Sequence, residues 1–166
     1  ADGAVVALDA PGNFDAAWLD ADTVLVNGLG LEGAAESGQA LYAAELSGGA
    51  AVVRQIVRGL GSASGAVEVT GDYVLAGGFD DAFQSHVYFL ERSAVEAAAA
   101  GGPAITVDET DGVLCEGAPV DSAFSIVHGF FVTRTYMSTE PYGVDEIVGR
   151  AIAYSAEAGF RLGTRY

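Results

Sequence analysis

The segment AAWLDADTVLVNG, residues 16–28, is matched without a gap by AVEVTGDYVLAGG at 66–78 and by AFSIVHGFFVTRT at 123–135. The copies lie 50 and 57 residues apart. Each sets a short apolar run, a tight turn and a more hydrophobic run in a row, which is the signature of a β-hairpin. The turns fall at Asp20-Ala21-Asp22, Thr70-Gly71-Asp72 and Val127-His128-Gly129. A third strand follows each hairpin, as QALYAAEL (39–46), SHVYFLER (85–92) and GRAIAYSA (149–156), with Tyr42 and Tyr88 at the same place. A fourth is expected at AAVVRQIV (50–57), PAITVDE (103–109) and FRLGTRY (160–166). The helix-forming run ERSAVEAAAAGG (91–102), with its Gly-Gly stop, reads as a short helical connection between the third and fourth strands of the middle unit.

Units of this length, repeated along one chain, point to separate small sheets rather than one large one. Val24-Leu25-Val26 and Val74-Leu75-Ala76 are continuous apolar runs, as expected of strands buried on both faces between neighbouring sheets. The expected fold class is therefore all-β: a partial β-propeller of about three four-stranded antiparallel blades plus one extra strand. The blades are expected at about 15–58, 65–109 and 120–166 of a single propeller-type unit spanning 1–166. The segment GAVVALDAPGN (3–13) supplies, over 3–10, a strand of a preceding or closing blade. Closed propellers generally have four or more blades, so the ring is expected to be completed by a second copy, another chain or a missing segment.

The matched hairpins, the LYAAEL and VYFLER strands and the connection SAVEAAAAGGPA resemble the degenerate, WD40-like repeats of bacterial β-propeller proteins over nearly the whole chain. The Gly-His and Trp-Asp marks of true WD40 blades, the double glycines of kelch repeats and the tryptophan docking of quinoprotein dehydrogenases are missing; Trp18 is the only tryptophan. The resemblance implies a fold and no particular substrate, since propellers host hydrolases, isomerases, oxidoreductases and scaffolds alike.

Twenty-three acidic side chains stand against seven arginines and no lysine, for a formal charge of -16. Such a surface repels phosphate, which excludes nucleic acid as a partner, and it suits solubility or high salt. No apolar run is long enough for a membrane-spanning helix, so no membrane insertion is expected. Cys115 is the only cysteine, which rules out an intrachain disulfide; flanked by Val113, Leu114 and Glu116, it reads as a small core residue. The start at Ala1-Asp2-Gly3 fits a mature form after signal removal, hence a secreted, periplasmic or cell-surface protein, or else a fragment.

Ligands of propellers usually sit at the end where second strands connect to third strands. The longest such connection is expected at TRTYMSTEPYGVDEIVGR, 133–150, which gathers Arg134, Tyr136, Tyr142, Asp145, Glu146 and Arg150. Flat aromatic faces beside bidentate donors suit a carbohydrate or peptide; the plainer reading is a long solvated loop. Asp80, Asp81 and His86 offer oxygen and nitrogen ligands for a divalent metal, although their spacing matches no established loop; otherwise no cofactor is expected. GLGLEG at 28–33 counts like a dinucleotide motif but precedes a strand instead of a helix, and no G-x-S-x-G nucleophile motif occurs.

These features favour a non-catalytic binding or assembly module. The alternatives are a ring-top hydrolase or oxidoreductase using Asp80, Asp81, His86 and Glu146, and a structural domain of a surface or filament protein.

Overall fold

The computed structural model describes residues 15–28, 40–47, 50–61, 66–79, 85–108, 111–114, 123–128, 130–137, 144–155 and 159–165. The expected strand at 3–10 and Cys115 lie outside them. The described residues are mostly β, with one short helix.

The first sheet runs β1 (Asp15–Trp18), β2 (Thr23–Gly28), β3 (Ala40–Ser47) and β4 (Ala50–Arg58), each antiparallel to the last. The second begins with β5 (Val67–Thr70), β6 (Tyr73–Phe79) and β7 (Ser85–Glu91), after which α1 (Arg92–Ala99) and β8 (Ile105–Thr106) precede its fourth strand, β9 (Gly112–Leu114). The third runs β10 (Ala123–Val127), β11 (Phe130–Met137), β12 (Val144–Ser155) and β13 (Gly159–Arg165).

The three quoted segments all fold as hairpins, but their turns differ. Thr70 pairs with Tyr73 and Val127 with Phe130, so two residues close each of these turns. Gly71 and His128, aligned in the sequence, both have positive φ, at 54° and 50°. The first hairpin has Ala21 at that position and uses a longer turn, in which Asp20 Oδ1 accepts from the backbone N–H of Asp22 at 2.8 Å and of Thr23 at 2.7 Å. Because nothing lies within 4 Å of a Cβ built on Gly71, a side chain there meets only backbone strain. Gly71→Val is expected to cost about 1–3 kcal/mol, and Gly71→Asn much less, because asparagine tolerates this region. Paired chemical denaturation curves check both.

One expectation is corrected. PAITVDE was expected to supply the fourth strand of the second sheet; instead Ile105 and Thr106 pair in parallel with Val57 and Arg58 at the edge of the first sheet, and Gly112–Leu114 takes the fourth place beside β7. The helix exit explains the swap. Gly101, at φ 98°, ends α1, and the N–H of Gly102 bonds to Ala97 O. The chain then leaves toward β4, where the N–H of Val107 donates to Arg58 O at 3.0 Å. Val107 is buried and Ile105 packs against the same core, so burial of these two side chains accompanies the crossing.

The main core lies between the first two sheets. Leu25, Leu41 and Ile56 meet Val74, Tyr88 and Leu90, and Val95 and Ala98 of α1 cover one end. The other face of the second sheet, with Leu75 and Val87, packs on Ile152 of the third. Val74, Leu75 and Ala76 are all at most 2 % exposed, as expected of a strand covered on both sides. Tyr42 and Tyr88, matched in the sequence, are both buried on third strands.

Candidate functional site

Two described polar side chains bridge the first two sheets. Asn27, buried in β2 between Val26 and Gly28, donates from Nδ2 to Gly77 O at 2.8 Å and to Ala66 O at 3.1 Å in the second sheet. Asp15 Oδ2 accepts from the backbone N–H of Val67 at 3.3 Å. Sequence reasoning passed over both residues. The available signal was an amide inside an otherwise apolar strand, because a buried polar side chain needs partners.

Two shallow clefts of about 530 and 540 Å³ flank α1 at the end where the first hairpin turns lie. Asp72, Tyr73, Glu91 and Arg92 line one, and Asp20, Asp22 and Glu45 the other; Glu96 borders both. Arg92 is committed to structure: its Nε donates to Glu96 Oε1 at 2.8 Å and its guanidinium to Leu19 O at 2.8 Å. Arg54 likewise pairs with Glu45 at 3.3 Å and reaches Ala99 O. The clefts are acidic rims around the attachment of α1, and among the described residues no three His, Cys, Asp or Glu side chains converge as a metal would require.

Among the described residues, Asp20 has a clear pKa shift. The N–H of Asp22 holds its carboxyl below the ordinary value of 3.8, slight burial opposes this, and Thr23 and Arg92 lower it further. A depressed carboxylate contributes stability that is present above the unfolded pKa and is lost as pH falls through the folded pKa. Asp20→Ala is expected to cost about 0.5–1 kcal/mol at neutral pH and to lose that effect as the pH falls through the lowered folded pKa. Denaturation curves at pH 7 and at pH 2.5 test this.

The residues singled out in the sequence are not gathered in one loop. Most of the expected connection 133–150 is a paired ribbon, in which Arg134 lies opposite Ile147, Thr135 opposite Glu146, Tyr136 opposite Asp145 and Phe131 opposite Arg150. The β-branched and aromatic content of both arms favours pairing over a solvated loop. Tyr142 lies outside the described residues, as do Asp80 and Asp81. His86 is buried in β7, opposite Gly78 and Leu114, with its ring 6.3 Å from that of Tyr88 at an interplanar angle of 26°. Gly112 leaves room for it: a Cβ there would stand 3.0 Å from His86 Cβ.

No described helix is long and apolar enough to cross a membrane. Comparison with protein-family models, curated proteins and solved structures finds no match to this chain.

Proposed function

We propose that the chain is a non-catalytic binding or assembly module of propeller type, its three sheets being consecutive blades of a ring completed by a second copy, another chain or a further segment. The observation that carries this reading is the packing of the first strands. β1 packs beside β5, and β5 beside β10, so successive sheets meet along their opening strands as blades do around an axis. Among the described residues no comparable packing joins β10 back to β1. The strand orders β1-β2-β3-β4, β5-β6-β7-β9 and β10-β11-β12-β13 suit blades traversed from the axis outward. The polar side chains that bridge the first two sheets support assembly over catalysis, since buried Asn27 and half-buried Asp15 hold backbone groups of the neighbouring sheet.

The outward face of the first sheet is already buried at Val26, Ala40 and Tyr42, whereas the third sheet, which ends the row, leaves Phe130 exposed, and extended apolar faces are rarely left in water. The purified chain is therefore expected either in a particle heavier than its own 16.9 kDa or, as a single chain, with strong fluorescence from an apolar-surface dye such as ANS. A monodisperse single chain without dye response overturns the reading.

A further inference from the structure

We propose that Asn27-Gly28 is a latent modification site, which converts itself to isoaspartate or aspartate when the first two sheets part and which the packed sheets keep intact. The inference rests on the contact between those two sheets and not on how the row of sheets is completed.

The chemistry is set by the two residue types. The backbone nitrogen of Gly28 attacks Asn27 Cγ, its proton passes to Nδ2, and Nδ2 leaves as ammonia, so that a five-membered succinimide forms. Water then opens the ring. Cleavage of the bond to Cγ leaves aspartate; cleavage of the bond to the backbone carbonyl carbon leaves isoaspartate, in which the main chain runs through the former side chain. Glycine suits this attack best, because no Cβ stands beside the approaching nitrogen. The only other asparagine, Asn13, precedes Phe14.

Asn-Gly also has a strong local preference for a two-residue turn, yet here it is the extended end of β2, opposite Leu41 and Ala40. Tertiary contacts override the local preference. Asn27 is 2 % exposed and Gly28 is buried. Nδ2 is held by Gly77 O at 2.8 Å and by Ala66 O at 3.1 Å across the gap between the sheets. The leaving nitrogen is therefore bound, the attacking nitrogen belongs to a paired strand, and the site is shut off from bulk water. When the sheets part, the amide is released, water enters, and Gly28, the last residue of β2, is free to turn.

The change runs one way. Neither product has an amide to donate to Gly77 O and Ala66 O, and aspartate sets a carboxylate against both carbonyl oxygens. Isoaspartate adds a carbon to the main chain between Val26 and Gly28, on the rungs that place Tyr42 and Ala40 in the core, so the register of β2 on β3 is lost. The aligned positions in the other two copies hold Gly77 and Arg134, so the repeat itself does not call for an amide and the site belongs to the first sheet alone.

The full chain is incubated in mildly alkaline buffer, folded in one arm and unfolded in guanidinium chloride in the other. Peptide mass spectrometry follows Asn27, and electron-transfer fragmentation separates the two products. Conversion is expected to be at least about 100-fold slower in the folded arm, since the open fraction of a folded chain is about 10⁻³ or less. In denaturant, Asn27 is expected to convert ahead of Asn13. Chains converted in denaturant are then expected to recover less of the native near-UV circular dichroism on dilution than chains exposed only briefly. Similar rates in the two arms, an Asn27 that stays an amide in denaturant, or an Asn13 that converts first overturns the proposal. Equal recovery of converted and briefly exposed chains overturns its one-way consequence.

Discussion

Gly61→Ala is expected to remove about 4 kcal/mol of stability, enough to leave a marginal domain largely unfolded at 37 °C. Two effects combine. At φ 81° an L side chain pays roughly 1–2 kcal/mol of backbone strain. The larger effect is steric: a Cβ on Gly61 would collide with the carbonyl oxygen of Phe79, the residue with which Gly61 forms an isolated parallel bridge that ties the segment after β4 to β6. Backbone cannot give way as a flexible side chain does, so this segment must come away from β6. Gly71→Ala isolates the first effect, since φ there is also positive and the space is open. Urea midpoints for the two variants should differ widely; equal midpoints would remove the claim that the chain crosses here at backbone contact distance.

Asn27→Leu comes next, at about 2–4 kcal/mol, because the buried carbonyls of Gly77 and Ala66 lose a donor at once. Asn27→Asp is expected to be worse at neutral pH and to recover in acid. An ionised carboxylate would face two carbonyl oxygens in a buried site, so its folded pKa is raised above the unfolded value of about 3.9. The folded state then holds its proton longer than the unfolded state. Stability of this variant is full below pH ~4 and falls as pH rises through the interval between the two values. Wild type and Asn27→Leu serve as controls for the general acid response. A variant whose deficit relative to wild type is the same at pH 3.5 and pH 7 would show that Asn27 is not enclosed between the sheets.

The hairpins were legible because Val24-Leu25-Val26 and Val74-Leu75-Ala76 state burial on two faces directly, and because Gly71 marks a turn in a way Ala21 does not. The position of Ile105–Thr106 was not legible. A two-residue parallel pairing has no period of its own, and its location depends on where Gly101 releases the chain and on space beside Gly59, where a Cβ would meet Val107 O at 1.9 Å. The ribbon of β11 and β12 was mistaken for a loop because Arg134, Asp145 and Glu146 suggest solvent, whereas register depends on the backbone opposite. His86 illustrates the limit for site reading. Its residue type suggests a ligand, and only packing beside Tyr88 and Gly112 shows it within the core.

Most strands pair with a sequence neighbour; β8 instead reaches back across the helix to the edge of the preceding sheet, and β9 pairs with β7 past it. A strap of this kind couples melting. Fraying β4 releases β8 and loosens α1, which rests on β3, β6 and β7 as well, so the first two sheets should open as one cooperative unit in hydrogen exchange, while the third, outside the strap, can open separately at lower free energy.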